Sequence, residues 1–126
     1  MNTKINVTEN RIEKLKKYHC AVEVALNTLG GKYKAIILYH LIGHTLRFNE
    51  IQKLVAQATP KMLSQQLKEL EADGIIVRKL YPVVPPKTEY SLSEYGQSII
   101  PVVMSLHEWG KDYIEALDLN NYFDFT

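Results

Sequence analysis

Apolar residues recur every three or four positions in the first half of the chain, in short runs that glycines separate. In residues 20–29 the apolar positions at this spacing are Val22, Ala25, Leu26 and Leu29. The spacing predicts a helix, which the glycines at 30–31 end. Residues 32–42 are apolar on most sides, so we expect a second helix at the centre of the core. A more charged segment from Thr8 onward predicts an earlier helix or an arm.

Two further amphipathic segments follow, with a short link between them. The apolar positions of the first are Phe48, Ile51, Leu54 and Val55. They fit a helix of about two turns. Thr59 is a good N-cap residue and Pro60 suits the first helical position, so the second helix is expected to run from there to Ala72. Two helices joined by three or four residues form a helix-turn-helix.

The last part of the chain predicts a hairpin and one long helix. Residues 75–80 and 88–92 read as strands on either side of a proline-containing loop, and Leu46 fits a short bridging strand. From Ser93, a helix is expected to extend to about Leu117, with a kink at Pro101. This order of elements predicts an α+β fold: a mainly helical winged helix-turn-helix with a two-stranded wing and a C-terminal dimerisation helix.

Composition is that of an ordinary soluble globular protein. The chain has 126 residues, of which 46% are hydrophobic and 23% charged, and this fits a single domain. We divide it into an N-terminal arm or helix at 1–19, the winged helix-turn-helix domain at 20–117 and a C-terminal tail at 118–126. The sequence contains neither an apolar run long enough for a bilayer nor a secretory signal, so a cytoplasmic location without membrane contact is expected.

The helix predicted at 59–72 has one apolar and one polar side. Its apolar side carries Leu63, Leu67 and Leu70, and its polar arc of about 100° carries Lys61, Ser64, Gln65 and Lys68. The acidic residues of this stretch lie in its C-terminal half, so the N-terminal half can approach phosphates. Gln65 can pair bidentately with adenine and Lys61 with guanine, while Ser64 suits either base. This pattern is typical of a recognition helix, although any solvated helix face can carry lysine and glutamine.

The hairpin adds a second cluster of basic residues. Arg78, Lys79 and Lys87 lie on its strands and near its tip, where a wing would touch the DNA backbone or the minor groove. A net charge of only +1 gives no global sign of nucleic-acid binding. The alternative therefore stays open that the same surfaces form a winged-helix module that binds protein without DNA. A steep loss of affinity with salt would identify phosphate binding.

The final helix is more apolar than one core requires. Its apolar stripe is about 180° wide, against the 100° or so that covers one core. The positions expected to face a partner are Val102, Leu106, Trp109 and Tyr113. A homodimer with two-fold symmetry would bind double-stranded DNA at a pseudo-palindromic operator, with half-sites about one helical turn, or a multiple, apart.

Six short sequence segments along the chain occur together in a combination that is specific to one family. They are residues 20–23, 30–34, 37–41, 46–50, 61–74 and 88–92, together with the two prolines of the predicted wing. This combination resembles the HxlR-type winged helix-turn-helix regulators of bacteria and covers most of residues 20–110. The resemblance implies a dimeric transcription factor, often one that answers electrophiles, aldehydes or oxidants. Tyr33 and Ala21 depart from the family's usual Trp and frequent Pro, and Pro60 removes a backbone N–H near the DNA.

Cys20 is the only cysteine, which excludes an intrachain disulfide and a multi-cysteine zinc cluster. A helix start with Lys16, Lys17 and His19 nearby favours a reactive thiolate, while the alternative is a small buried core residue. Modification would be a bridge across the dimer, a mixed disulfide with a low-molecular-weight thiol or an adduct with a small electrophile, and we favour the last two. The histidines lack metal-ligand spacing and no catalytic motif is present, so neither a cofactor nor an enzyme is expected.

Overall fold

The computed structural model describes residue 5 and residues 7–124 of the chain. In this part the α-helices are α1 (Glu9–Leu15), α2 (Ala21–Leu29), α3 (Lys34–Leu41), α4 (Phe48–Leu54), α5 (Pro60–Ala72) and α6 (Ile100–Ala116). The strands are β1 (Leu46–Arg47), β2 (Ile76–Tyr81) and β3 (Lys87–Leu92). Two 3₁₀ segments, Tyr95–Ile99 and Asn120–Tyr122, complete the regular structure. The predicted α+β winged helix-turn-helix is confirmed.

Capping residues explain where the helices begin. The Thr59 hydroxyl accepts a hydrogen bond of 3.1 Å from the backbone N–H of Met62, and Pro60 occupies the first turn, where its missing N–H costs nothing. The Thr8 hydroxyl accepts in the same way from Arg11, at 3.2 Å. The helix expected near Thr8 and the helix predicted from Pro60 are therefore both confirmed.

The three strands form one antiparallel sheet in the order β1-β3-β2. Leu46 lies opposite Tyr90 and Arg47 opposite Glu89, so the short bridging strand predicted at Leu46 is confirmed. The hairpin is confirmed too, with Lys79 opposite Glu89 and Tyr81 opposite Lys87. The sheet places the wing beside the helix-turn-helix formed by α4 and α5.

Helix α3 lies at the centre of the core, as its nearly all-round apolar sequence predicted. Ile37, Leu38 and Leu41 are fully or almost fully buried. Around them pack the leucines of α5, the inner residues of the sheet and Val103 of α6. Helix α5 is thus fixed to the core along one entire side, which holds its opposite side in a defined position.

The C-terminal segment differs from the prediction. Instead of one helix kinked at Pro101, a 3₁₀ segment over Tyr95–Ile99 is followed by α6, and Pro101 lies in the first turn of α6. The predicted kink was wrong, because Pro101 does not lie in the interior of a helix. Proline is tolerated in a first turn, where the N–H has no intrahelical partner, and α6 begins there. The Ser93 hydroxyl accepts from the Gly96 N–H at 2.8 Å and donates to the Gly74 carbonyl at 2.7 Å.

Two helices leave apolar side chains open to solvent in the single chain. Helix α2 buries none of its residues, and Val22 and Leu26 are 65% and 63% exposed. Helix α6 buries only Val103. Over residues 7–124 there is no helix with the length and apolar content needed to cross a membrane.

Candidate nucleic-acid interface

The polar arc of α5 lies on the outer side of the molecule. Lys61, Gln65 and Lys68 are exposed and Ser64 is half-buried. The leucines on the opposite side of the same helix are buried against the core. The structure therefore brings together the four α5 residues that the sequence singled out, on a helix with no acidic residue in its first turn.

Gln65 is engaged within the free protein. Its side-chain amide donates to the Glu69 carboxylate at 2.8 Å, and the other oxygen of Glu69 lies 2.7 Å from the ammonium of Lys34. That hydrogen bond from Lys34 is the main reason why the pKa of Glu69 lies below its ordinary value. The ion pair between Glu69 and the buried Lys34 uses the other carboxylate oxygen, so it does not depend on the hydrogen bond from Gln65.

Lys34 is a residue whose role the sequence reading missed. It begins α3 and is almost completely buried, with Glu69 as its ion-pair partner. A lysine is rarely buried unless it is paired, so this contact ties α3 to α5. Nothing in the local pattern around residue 34 predicts the contact, because its partner is far along the chain.

The basic residues of the wing divide between the two faces of the hairpin. Lys79 and Lys87 share a face, and their ammonium groups lie 4.9 and 4.7 Å from the centre of the Tyr81 ring. Arg78 is exposed but pairs with Tyr90 in the register, so its side chain points to the other face. The structure thus brings together Lys79 and Lys87 and separates Arg78 from them.

Arg47 joins the lysine-bearing face of the wing and was not among the expected residues. It is exposed, precedes α4, and its backbone N–H donates to the Glu50 carboxylate at 2.8 Å. Its position opposite Glu89 is set by β1, a strand of two residues whose pairing the sequence could only suggest. Hydrogen bonding from Tyr81, with smaller effects of Lys87 and Arg47, lowers the pKa of Glu89. On the strands of this face, Glu89 thus lies among three cationic side chains, those of Arg47, Lys79 and Lys87.

A groove separates the wing loop from the start of α4. Its volume is about 510 Å³. It is lined by Arg47, Phe48 and Asn49 on one side and by residues 83–88 on the other. Its charged members, Arg47 and Lys87, are both cationic, which suits a strand of nucleic-acid backbone.

Cys20 is exposed and occupies the N-cap position of α2. The alternative interpretation as a buried core residue is therefore wrong for the single chain. Its surroundings are less basic than the sequence suggested, because two carboxylates lie nearby. Glu13 pairs with Lys16 at 2.8 Å, and Glu23 accepts a hydrogen bond of 3.1 Å from the backbone N–H of His19.

Within residues 7–124, no three His, Cys, Asp or Glu side chains come together to hold a metal ion.

The outer face of α6 is apolar and aromatic. Val102, Leu106, Trp109 and Tyr113 are all exposed in the single chain, and the last two rings stack with their centres 5.0 Å apart. These are the four positions expected to face a partner. Large exposed apolar patches on soluble proteins mark interaction sites.

An outward polar face on the second helix of a helix-turn-helix, next to a cationic β-hairpin, defines a winged helix-turn-helix DNA-binding protein. Residues 28–118 match the family described as HxlR-like helix-turn-helix, and the chain belongs to this family. It is a DNA-binding transcriptional regulator, and family membership favours this function over the protein-binding alternative.

The chain is similar to other regulators of this type. It is 50% identical over 99 residues to the HTH-type transcriptional regulator YdeP of Bacillus subtilis, with 79% of this chain and 77% of YdeP covered. It is 43% identical over 118 residues to YybR of the same organism, with 94% and 90% covered. The solved structure of the redox regulator HypR in its reduced form is 45% identical, with a TM-score of 0.75 and coverage of 79% of this chain and 98% of HypR.

Proposed function

We propose that this regulator acts as a cytoplasmic homodimer that binds a pseudo-palindromic DNA operator and acts by binding, without catalysis. In each protomer, Lys61, Ser64, Gln65 and Lys68 of α5 face the major groove. The observation that carries the proposal is the exposed polar arc of α5 on a helix whose other side is buried in the core. Side chains that read bases have to be held in a fixed position, and this packing supplies the support.

The wing would hold the protein on the DNA backbone. Lys79 and Lys87 lie on one face and Arg78 on the other, so a strand of DNA along the hairpin edge can be contacted from both faces. Arg47 extends the cationic surface toward α4. Contacts of this kind fix the register of the protein on the duplex and carry little sequence information.

Gln65→Ala is expected to weaken binding to the operator by about 1–3 kcal/mol and to leave binding to random DNA nearly unchanged. The alanine variant loses the bidentate contact with a base, while the phosphate contacts remain. Operator fragments would first be selected from a random duplex library with the wild-type protein, and both affinities would then be measured by fluorescence anisotropy.

Gln97→Ala is a matched control for this measurement, because Gln97 is an exposed glutamine outside the helix-turn-helix and the wing. It should bind both DNAs like the wild-type protein. Equal losses on operator and random DNA for Gln65→Ala would contradict a base-reading role of Gln65.

The dimer would form through the exposed apolar face of α6, around Val102, Leu106, Trp109 and Tyr113. The equally open apolar side chains of α2 can extend that contact. Two-fold symmetry then places two recognition helices on one side of the DNA, with half-sites about one turn, or a multiple, apart.

Cys20 would sense oxidants or electrophiles. Its exposure at a helix start makes the thiol accessible, and HypR, to which this chain is similar, is a redox regulator. We favour two routes: a mixed disulfide with a low-molecular-weight thiol, or an adduct with a small electrophile.

Cys20→Ser is expected to abolish the response of DNA binding to diamide, hypochlorite and methylglyoxal. Since Cys20 is the only cysteine, the variant lacks any thiol, and mass spectrometry of the wild-type protein would locate the adduct directly. Operator affinity before treatment should match wild type. An equal response of both proteins would exclude Cys20 as the sensor.

A further inference from the structure

Arg11 of α1 joins three helices through one guanidinium group. Its Nε lies 2.8 Å from one oxygen of Asp73 and its Nη2 lies 3.1 Å from the other, so the ion pair is bidentate. The same Nη2 lies 3.2 Å from the hydroxyl of Thr28, and Nη1 donates to the side-chain oxygen of Asn27. Arg11 therefore contacts the last turn of α2 and the end of α5 at the same time.

Asp73 is the residue at which the recognition helix ends. It is the C-cap of α5, its backbone N–H donates to the carbonyl of Glu69 at 2.9 Å, and Gly74 with φ 77° turns the chain toward β2. A helix moves largely as a rigid rod. The place where Asp73 is held therefore helps to set the tilt of the whole DNA-reading face.

The Arg11–Asp73 pair is shielded from water, since the two side chains are only 14% and 11% exposed. Burial raises the pKa of Asp73 above its ordinary value even with Arg11 beside it. The ion pair thus offsets the cost of burying the carboxylate only in part, so a gain in stability alone does not account for it. Because the guanidinium group of Arg11 is planar and is bound at several of its nitrogens, it fixes the orientation of the contacting side chains as well as their distance.

We infer that Arg11 is a positioning residue that couples α2 to the recognition helix, so that a displacement of α2 changes the placement of α5 on DNA. The inference rests on the proposed function, in which the polar arc of α5 reads DNA. The Arg11 contacts connect α2 to that helix. Helix α2 begins at Cys20 and ends in the turn that contacts Arg11. A chemical change at the start of α2 therefore has a direct mechanical path to Asp73 through Asn27, Thr28 and Arg11.

In a dimer, the tilt of α5 relative to the rest of each protomer sets the spacing of the two half-sites. The test therefore measures affinity for synthetic operators whose half-sites, taken from selection with the wild-type protein, are separated by spacers of increasing length. Wild type, Arg11→Gln and Asp73→Asn would be compared. The readout is the ratio of two affinities: that for the operator with the best spacer, and that for an operator whose spacer is one base pair longer. Unfolded protein lowers both apparent affinities equally, so the ratio does not depend on the fraction of folded protein.

Arg11→Gln and Asp73→Asn are each expected to lower this ratio about tenfold, which is a typical size for coupling between sites. Glu13→Gln is the matched control, because it removes an ion pair of α1 that is exposed to solvent, and it should keep the wild-type ratio. A wild-type ratio in Arg11→Gln would overturn the inference.

Amide hydrogen exchange without DNA separates failure of the inference from failure of the proposed function. Asp73→Asn changes α5, yet we expect the amides of Asn27 and Thr28 in α2 to exchange about tenfold faster. If wild type selects no DNA sequence, the proposed function is wrong and the exchange measurement still tests the coupling. Unchanged exchange in α2 would overturn the coupling even if operator binding is confirmed.

Discussion

Trp109→Glu is expected to convert the proposed dimer into a monomer at micromolar concentration and to weaken operator binding by about 100-fold or more. Trp109 is 66% exposed in the single chain and stacks on Tyr113 at the centre of the apolar face of α6. Large aromatic side chains at the centre of an interface supply much of its binding energy, and a carboxylate there would have to be buried without a partner. A monomer would then engage only one half-site.

Sedimentation velocity and operator titration would measure both effects. Glu115→Lys is the control, because it changes a charge on the same helix at an exposed position outside the apolar stripe. It should remain dimeric with wild-type affinity. A dimeric Trp109→Glu variant, or a monomeric wild-type protein at micromolar concentration, would contradict the proposed interface.

Leu67→Ala is expected to lower the free energy of unfolding by about 2–5 kcal/mol. Leu67 lies on the inner side of α5 and is 1% exposed, so its truncation leaves a cavity between the recognition helix and the core. Urea unfolding followed by circular dichroism would measure the loss. The variant should bind DNA with less affinity at high temperature, because less of it is folded.

Met62→Ala serves as the comparison, since Met62 is a large apolar residue of the same helix that is exposed. Its truncation should cost well under the loss for Leu67, because exposed side chains contribute little burial. Similar losses for both variants would mean that α5 does not pack on the core as described.

Local signals in the sequence were enough to predict most of the fold. Thr59 and Pro60 start α5 through a hydroxyl cap and a missing N–H, and the glycine after Leu29 ends α2. These features act over a few residues, so the sequence carries them directly. The exposed arc of α5 followed from the same helical periodicity.

Contacts between distant residues were not predictable in the same way. The pairs Lys34–Glu69 and Arg11–Asp73 join separate helices. The sequence around each of these residues does not indicate which distant residue it contacts. Pro101 illustrates a different limit, because the same residue can kink a helix or begin one, and packing decides between them. The placement of the wing residues on two faces depended on strand register, which the hairpin loop alone did not settle.

The buried ammonium of Lys34 has a consequence for engineering the specificity of this regulator. It neutralises Glu69 from beneath α5, the helix proposed to read DNA, so the charge of that surface depends in part on a residue that is buried in the core. A transplant of the outer α5 side chains onto a relative with a neutral residue at this core position would carry an unbalanced carboxylate beside Gln65. The grafted protein would bind phosphate more weakly despite carrying the same outer α5 side chains, and a specificity exchange therefore has to include residue 34.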